Sequence, residues 1–130
     1  MLYMEWDESL SVDQGPIDND HRHLFELTNR FQDAILAGEA QEQLSVILKA
    51  LIDYATTHFR REEYLMQATR FPEYAEHKAA HDQFVQQVLD MKARLEAGTP
   101  VLTLEVSKFL RQWLLKHIAT RDKRLSALRP

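Results

Sequence analysis

Residues 41–67 read QEQLSVILKALIDYATTHFRREEYLMQ. Leu44, Leu48, Leu51 and Ala55 recur at steps of three and four, the spacing that keeps side chains on one face of an α-helix. Continued at the same period, the apolar stripe meets His58 and then Glu62. One helix therefore buries leucines along one part of its length and an imidazole with a carboxylate along another.

The same periodicity appears three more times. Leu24, Thr28, Phe31 and Ile35 form one stripe, and Tyr74, Phe84, Val88 and Leu95 form a second with gaps. Leu102, Val106, Phe109 or Leu110, and Trp113 form a third. Helices are predicted over 18–37, 41–67, 72–97 and 100–118, with a shorter helical tail near 120–128 and an irregular arm ending at Gly15-Pro16. Asp18 and Thr99 read as N-caps, Gly38 as the residue after a helix C-cap, and Pro72 and Pro100 as first-turn prolines. With three Gly and four Pro in 130 residues, the chain has too few turn formers for a β sandwich or barrel. The predicted fold is all-α, an up-down-up-down four-helix bundle forming a single domain over 1–130.

Composition narrows the chemistry. There is no Cys, which excludes disulfides, thiolate metal sites and a cysteine nucleophile. The net charge of −4 leaves no basic footprint for nucleic acid. No apolar run reaches the roughly 20 residues needed to span a bilayer, and the acidic first twenty residues do not resemble a signal peptide. A cytoplasmic monomer is expected, with no membrane or nucleic-acid partner.

Six His against no Cys is an unusual balance, and the stripes show where the histidines go. His21 lies three residues before Leu24, and His77 and His81 fill the gap between Tyr74 and Phe84. His117 lies four beyond Trp113. His23 is about 200° around its helix from His21 and is expected to face solvent. An unpaired buried polar group costs about 1–3 kcal/mol, and an isolated buried carboxylate costs more. A core with a net stability of about 5–15 kcal/mol cannot absorb six such penalties independently. The groups must satisfy one another or share a cation, and a metal is the economical solution. His58-x-x-x-Glu62 and His77-x-x-x-His81 are i, i+4 pairs, whose Cβ atoms lie about 5–6 Å apart and can converge on one ion. Asp122 follows His117 by five residues, off the helical step, and joins them only if the fourth helix ends near Ile118 and a turn swings it inward. Five imidazoles and two carboxylates exceed the four to six ligands of one first-row ion and suit two. Zinc, manganese and iron all accept such donors.

The residues in these positions resemble the hemerythrin family, in particular its single-domain bacterial members. The resemblance spans nearly the whole chain. It is carried by Trp6, by Ile17-Asp18-Asn19-Asp20-His21 with Leu24-Phe25 and Asn29, and by His58-Phe59-Arg60-Arg61-Glu62-Glu63. His77-Lys78-Ala79-Ala80-His81 and Trp113-Leu114-Leu115-Lys116-His117-Ile118 followed by Asp122 complete it.

The resemblance implies two iron ions. One would be held by His77, His81 and His117 and the other by His21 and His58, with Glu62, Asp122 and a solvent-derived oxo or hydroxo group bridging them. Dioxygen would bind at the open position of the second iron, inside apolar walls supplied by Leu24, Phe59, Trp113, Leu114 and Ile118. Pro16 and Leu125 depart from the family pattern without touching the ligands. The implied function is reversible oxygen binding for storage, delivery or scavenging, without catalysis, and the expected partner besides dioxygen is an oxygen-using enzyme or a reductase. A donor set of charge −2 is less anionic than the Glu-x-x-His sites that activate oxygen. The competing functions are an oxygen or redox sensor module and a di-iron enzyme of peroxidase or nitric-oxide reductase type.

Overall fold

The stripes read from the sequence become the core. Leu24, Phe31, Leu48, Leu51, Phe84, Val88, Leu110 and Leu114 are all essentially inaccessible to solvent and belong to one contiguous apolar cluster. Full burial of a side chain of this size contributes about 1.5–3 kcal/mol, which makes this cluster the main driving force for assembly. The structure, a computed structural model, describes residues 3–97 and 103–128. Its helices are α1 (Pro16–Leu36), α2 (Gln41–Ala68), α3 (Tyr74–Glu96) and α4 (Thr103–Thr120), with 3₁₀ segments at Glu8–Leu10 and Asp122–Leu128. Neighbouring pairs α1–α2, α2–α3, α3–α4 and α1–α4 all pack, which closes the ring of a four-helix bundle. No strand occurs among the described residues, and no helix there is long and apolar enough to cross a membrane.

Several helix ends differ from the sequence reading. Asp18 is not the N-cap of α1. Gly15 holds that position with Pro16 at N1, and the Asp13 carboxylate accepts from the Gly15, Ile17 and Asp18 amides instead. Pro72 lies in the turn before α3, which begins at Tyr74. The reason is that α2 ends with Arg70 at a φ of 54°, and the Phe71 amide then reaches back to the Met66 carbonyl. α4 continues to Thr120, two residues beyond the expected end. Gly38 closes α1 as predicted: its φ is 73°, and the next amide, that of Glu39, bonds the Ala34 carbonyl. The Gly98-Thr99-Pro100 break, the Thr99 cap and Leu102 lie outside the described residues.

The N-terminal arm and the tail seal one end of the bundle. Asn29 grips Met4 through both its amide and its carbonyl, and Trp6 meets Phe25 edge-on at 5.8 Å beneath the Arg22 guanidinium. Asp18, buried, accepts from the Ser11 hydroxyl and from the Val12 and Gln14 amides, which ties the arm to α1. Val12, Ile17, Met66 and Leu125 form a second small core where arm, α1, α2 and tail meet. Leu125 is fully enclosed there, so an aliphatic residue closes the tail against the bundle.

A Cβ added at Gly38 meets no atom within 4 Å. Gly38→Ala should therefore cost only the conformational penalty of the left-handed region, about 1–2 kcal/mol in denaturant unfolding, and Gly38→Asn should cost less. Arg70→Gly, at the equivalent position after α2, should not destabilise.

Candidate metal centre

Each helix delivers its imidazole from the end of the bundle that the arm and tail enclose. His21 comes from the second turn of α1, His58 and Glu62 from the last third of α2, His77 and His81 from the start of α3, and His117 from the last turn of α4. After α4 the chain turns at Arg121, and the 3₁₀ segment begins with Asp122 pointing inward. All seven side chains are buried: Glu62 is 0% exposed and the least buried, His117, only 5%. The inward swing of Asp122 needs no early end to α4, because one turn residue and a change to 3₁₀ geometry suffice. His23, 43% exposed at its side chain, is directed away and leans on Tyr54.

The seven residues form two groups that share their carboxylates. Glu62, His77, His81, His117 and Asp122 can each present a ligand atom to one ion, and His21, His58, Glu62 and Asp122 to another. The carboxylates divide oxygen by oxygen. Glu62 Oε1 lies 3.2 Å from His81 Nε2 and 3.7 Å from His77 Nε2. Glu62 Oε2 lies 3.5 Å from His58 Nε2 and 3.8 Å from His21 Nε2. Asp122 Oδ1 lies 2.8 Å from His77 Nε2 and 3.0 Å from His117 Nε2, while its Oδ2 lies 3.0 Å from His21 Nε2.

The unpaired atoms test whether cations fit. Both oxygens of Glu62, Nε2 of His58 and both ring nitrogens of His21 are buried without a hydrogen-bond partner. His81 Nε2 and His117 Nε2 face each other at 3.1 Å, an approach that two neutral acceptor nitrogens make only around a shared proton or cation. His77 Nε2 pairs with Asp122 Oδ1 at 2.8 Å, so the cluster is partly self-satisfied, but Glu62 is left unsatisfied. Two ions, one between each set of Nε2 atoms and the facing carboxylate oxygens, would pair these atoms together.

With no cation in the cluster, protons carry the compensation. Burial opposes the charged form of His58, but the Glu62 charge and the Asp20 hydrogen bond outweigh it and push the group up to about 10. Burial likewise opposes charge on His77, but its contact with Asp122 and the nearby negative charge of Glu62 raise it to about 9. His117 goes the other way, lowered by burial despite Asp122. Burial pushes Glu62 and Asp122 toward their acid forms, and their imidazole neighbours hold both below the usual carboxylate range.

An outer layer fixes the imidazoles. Asp20 accepts from His58 Nδ1 at 2.9 Å, from the Tyr54 hydroxyl at 2.8 Å and from Arg61. Glu63 faces His81 Nδ1 at 3.0 Å. Such partners fix the tautomer so that Nε2 is left for a ligand bond. Sequence reading did not assign these roles: Asp20 and Glu63 each adjoin a ligand in the chain, and that adjacency was the available signal. Among the predicted wall residues, Phe59 stacks on His81 at 3.9 Å and 7°, and Trp113 stacks on His117 at 4.3 Å and 12°. Leu24, Leu114 and Ile118 are each about 1% exposed in the surrounding core. Phe59 and Trp113 thus cover the three-histidine group.

A family model for the hemerythrin HHE cation binding domain matches residues 15–128. The bacteriohemerythrin of Methylococcus capsulatus is 33% identical over 124 residues, 95% of this chain and 94% of that protein. Myohemerythrin-1 of Phascolopsis gouldii is 36% identical over 118 residues, 90% of this chain and 87% of that one. A crystal structure of wild-type hemerythrin, 31% identical and covering 96% of each chain, superposes with a TM-score of 0.89. A leucine-to-alanine variant of hemerythrin gives 0.90 at 29% identity, with 98% of this chain and 97% of that one covered.

The raised histidines set a pH dependence. Stability contributed by protonated His58 and His77 is fully present below pH 6.5 and is lost as pH rises through about 9 to 10. The metal-free chain should melt at a lower temperature at pH 10 than at pH 6.5, and the metal-loaded protein should lose far less. Apparent zinc affinity of the metal-free chain should rise across the same window, because protons and metal compete for the same nitrogens. Asp20→Asn or Glu63→Gln should weaken metal binding about 10- to 100-fold, measured by chelator competition.

Proposed function

Because this chain belongs to the hemerythrin family of di-iron oxygen-binding proteins, we propose that it binds dioxygen reversibly for storage, delivery or scavenging and does not turn over a substrate. His77, His81 and His117 would hold one iron and His21 and His58 the other, with Glu62 and Asp122 offering one carboxylate oxygen to each. The observation that carries this assignment is the division of each carboxylate, one oxygen to each imidazole set. When bound, the ferrous pair supplies the two electrons that dioxygen takes up and returns.

The chain's own residues make that exchange reversible. The cluster offers three imidazoles on one side and two on the other, so the His21–His58 side would leave more room for an added ligand. Asp20 and Glu63 hold the rings of His58 and His81 by their Nδ1 atoms, so that Nε2 is the atom each ring turns toward the cluster. Leu24, Phe59, Trp113, Leu114 and Ile118 surround the site with apolar surface and exclude the water that promotes oxidation. A catalytic role needs a further acid or base aimed at the cluster. Each buried titratable group among the described residues is instead a proposed ligand or a support for one, apart from Asp18, which holds the arm.

The test is the absorption spectrum of the reduced protein through repeated cycles of air and degassing. An oxygen-dependent band that appears and disappears over several cycles is expected. A single irreversible change on first exposure would overturn the carrier reading. Leu114→Ser should speed autoxidation several-fold at unchanged iron content, and His23→Ala should alter neither.

A further inference from the structure

Charge is unevenly distributed along this acidic chain. It carries 16 basic and 20 acidic side chains, of which residues 103–128 hold six and two; the rest holds ten against eighteen. One of those two acids, Asp122, is turned into the metal cluster. α4 and the tail therefore carry an excess of basic side chains on a negatively charged molecule. Arg111 is turned to Tyr3, Lys123 to the Ser11 carbonyl and Arg124 to Glu73. Lys116 and Arg121 instead border a shallow depression of about 270 Å³ between α3 and α4, whose other lining residues are Ala80, Gln83, Trp113, His117 and Thr120, none of them acidic.

The floor of that depression connects to the cluster. The partly exposed Trp113 indole lies 4.3 Å from the His117 imidazole at an interplanar angle of 12°. His117 Nε2 in turn lies 3.0 Å from Asp122 and 3.1 Å from His81 Nε2. A continuous stack of two π systems thus joins a positively charged surface to the three-histidine group. Elsewhere His58 and His81 reach outward through Asp20 and Glu63, which are hydrogen-bonded carboxylates, and the ring stacked on His81, Phe59, is buried where Trp113 is partly exposed.

We propose that this basic depression around Trp113 is the docking site of an acidic one-electron carrier protein that reduces the oxidised form. The inference rests on the di-iron reading above. The occupant follows from charge and contact: the face attracts an acidic partner, which the acidic remainder of the molecule repels, and the stacked rings offer a path for an electron. Transient redox partners bury small interfaces and rely on electrostatic steering, so a few charges around a shallow depression suffice. Each encounter moves one electron from the carrier, and solvent supplies the proton that a bridging oxo group would take up on reduction to hydroxo. The carrier is oxidised by one electron and one ferric ion becomes ferrous, so two encounters restore a protein that has autoxidised.

The probe is a plant-type [2Fe–2S] ferredoxin, an acidic carrier, titrated against the iron-loaded protein. Binding should be lost between 50 and 500 mM salt, on the order expected for screened surface charges. Lys116→Glu with Arg121→Glu should weaken it about tenfold or more. Lys49→Glu with Arg94→Glu, an equal change in net charge placed on α2 and α3, should change it less than about twofold. Trp113→Leu should lower the electron-transfer rate within the saturated complex at least about tenfold, and Trp113→Phe, which keeps a stacked ring, should recover most of it. Iron content and the oxygenated spectrum are measured on the same samples. Loss of both in the unsubstituted protein would sink the di-iron reading, whereas normal values with ferredoxin binding indifferent to Lys116 and Arg121 would sink the docking site alone. Self-association or anionic-vesicle binding that disappears in the Lys116/Arg121 variant, without ferredoxin binding, would also overturn it, as would a transfer rate unchanged in Trp113→Leu.

Discussion

Glu62 is a carboxylate with no solvent exposure and no hydrogen-bond donor on either oxygen. An uncompensated charge in that environment costs several kcal/mol, a large share of a domain's whole stability. The surrounding architecture follows from the need to compensate it. Nε2 atoms from three helices, α1, α2 and α3, ring the carboxylate at 3.2–3.8 Å, and they lie on opposite sides of it. A single cation on one side would leave the other oxygen unpaired. Two cations satisfy both oxygens and, through Asp122, the second carboxylate as well.

The bundle holds this arrangement because its core and its site occupy different lengths of the same helices. Phe31, Leu48, Val88 and Leu110 fill one part of the bundle, and the imidazoles fill the rest. The apolar part can be well packed in its own right and so supports a polar part that is not. The arm and tail complete the enclosure. Asp18 fastens the arm through three hydrogen bonds, and Leu125 seats the 3₁₀ segment that delivers Asp122. The same segment that turns Asp122 into the cluster leaves Arg121, just before it, beside the depression at the Trp113–His117 stack.

Much of this was legible in the sequence because helical period maps directly onto burial. His21, His58, Glu62, His77, His81 and His117 fall on stripes already defined by Leu and Phe, so their inward placement followed from spacing alone. Asp122 did not fall on a stripe; it joined the other candidates only on the condition that a turn swing it inward, and the resemblance to hemerythrins added its bridging role. Asp20, Tyr54 and Glu63 escaped notice for a different reason. Asp20 on α1 pairs with His58 and Tyr54 on α2, and Glu63 on α2 with His81 on α3, and pairing of that kind is set by how helices pack, which periodicity does not encode. The helix ends were misread where a local signal had a stronger neighbour. Asp18 has the chemistry of an N-cap, but Pro16 starts the helix earlier and Asp13 takes the amides. Pro72 suits a first turn, yet the left-handed Arg70 delays α3 until Tyr74.

If two cations compensate the buried carboxylates, metal binding and folding are one equilibrium. The most direct measurement is an anaerobic titration of the metal-free chain with ferrous ion, following the unfolding midpoint. The midpoint should climb until two equivalents per chain have been added and then level off. Saturation at one equivalent, or a midpoint indifferent to iron, would contradict the account.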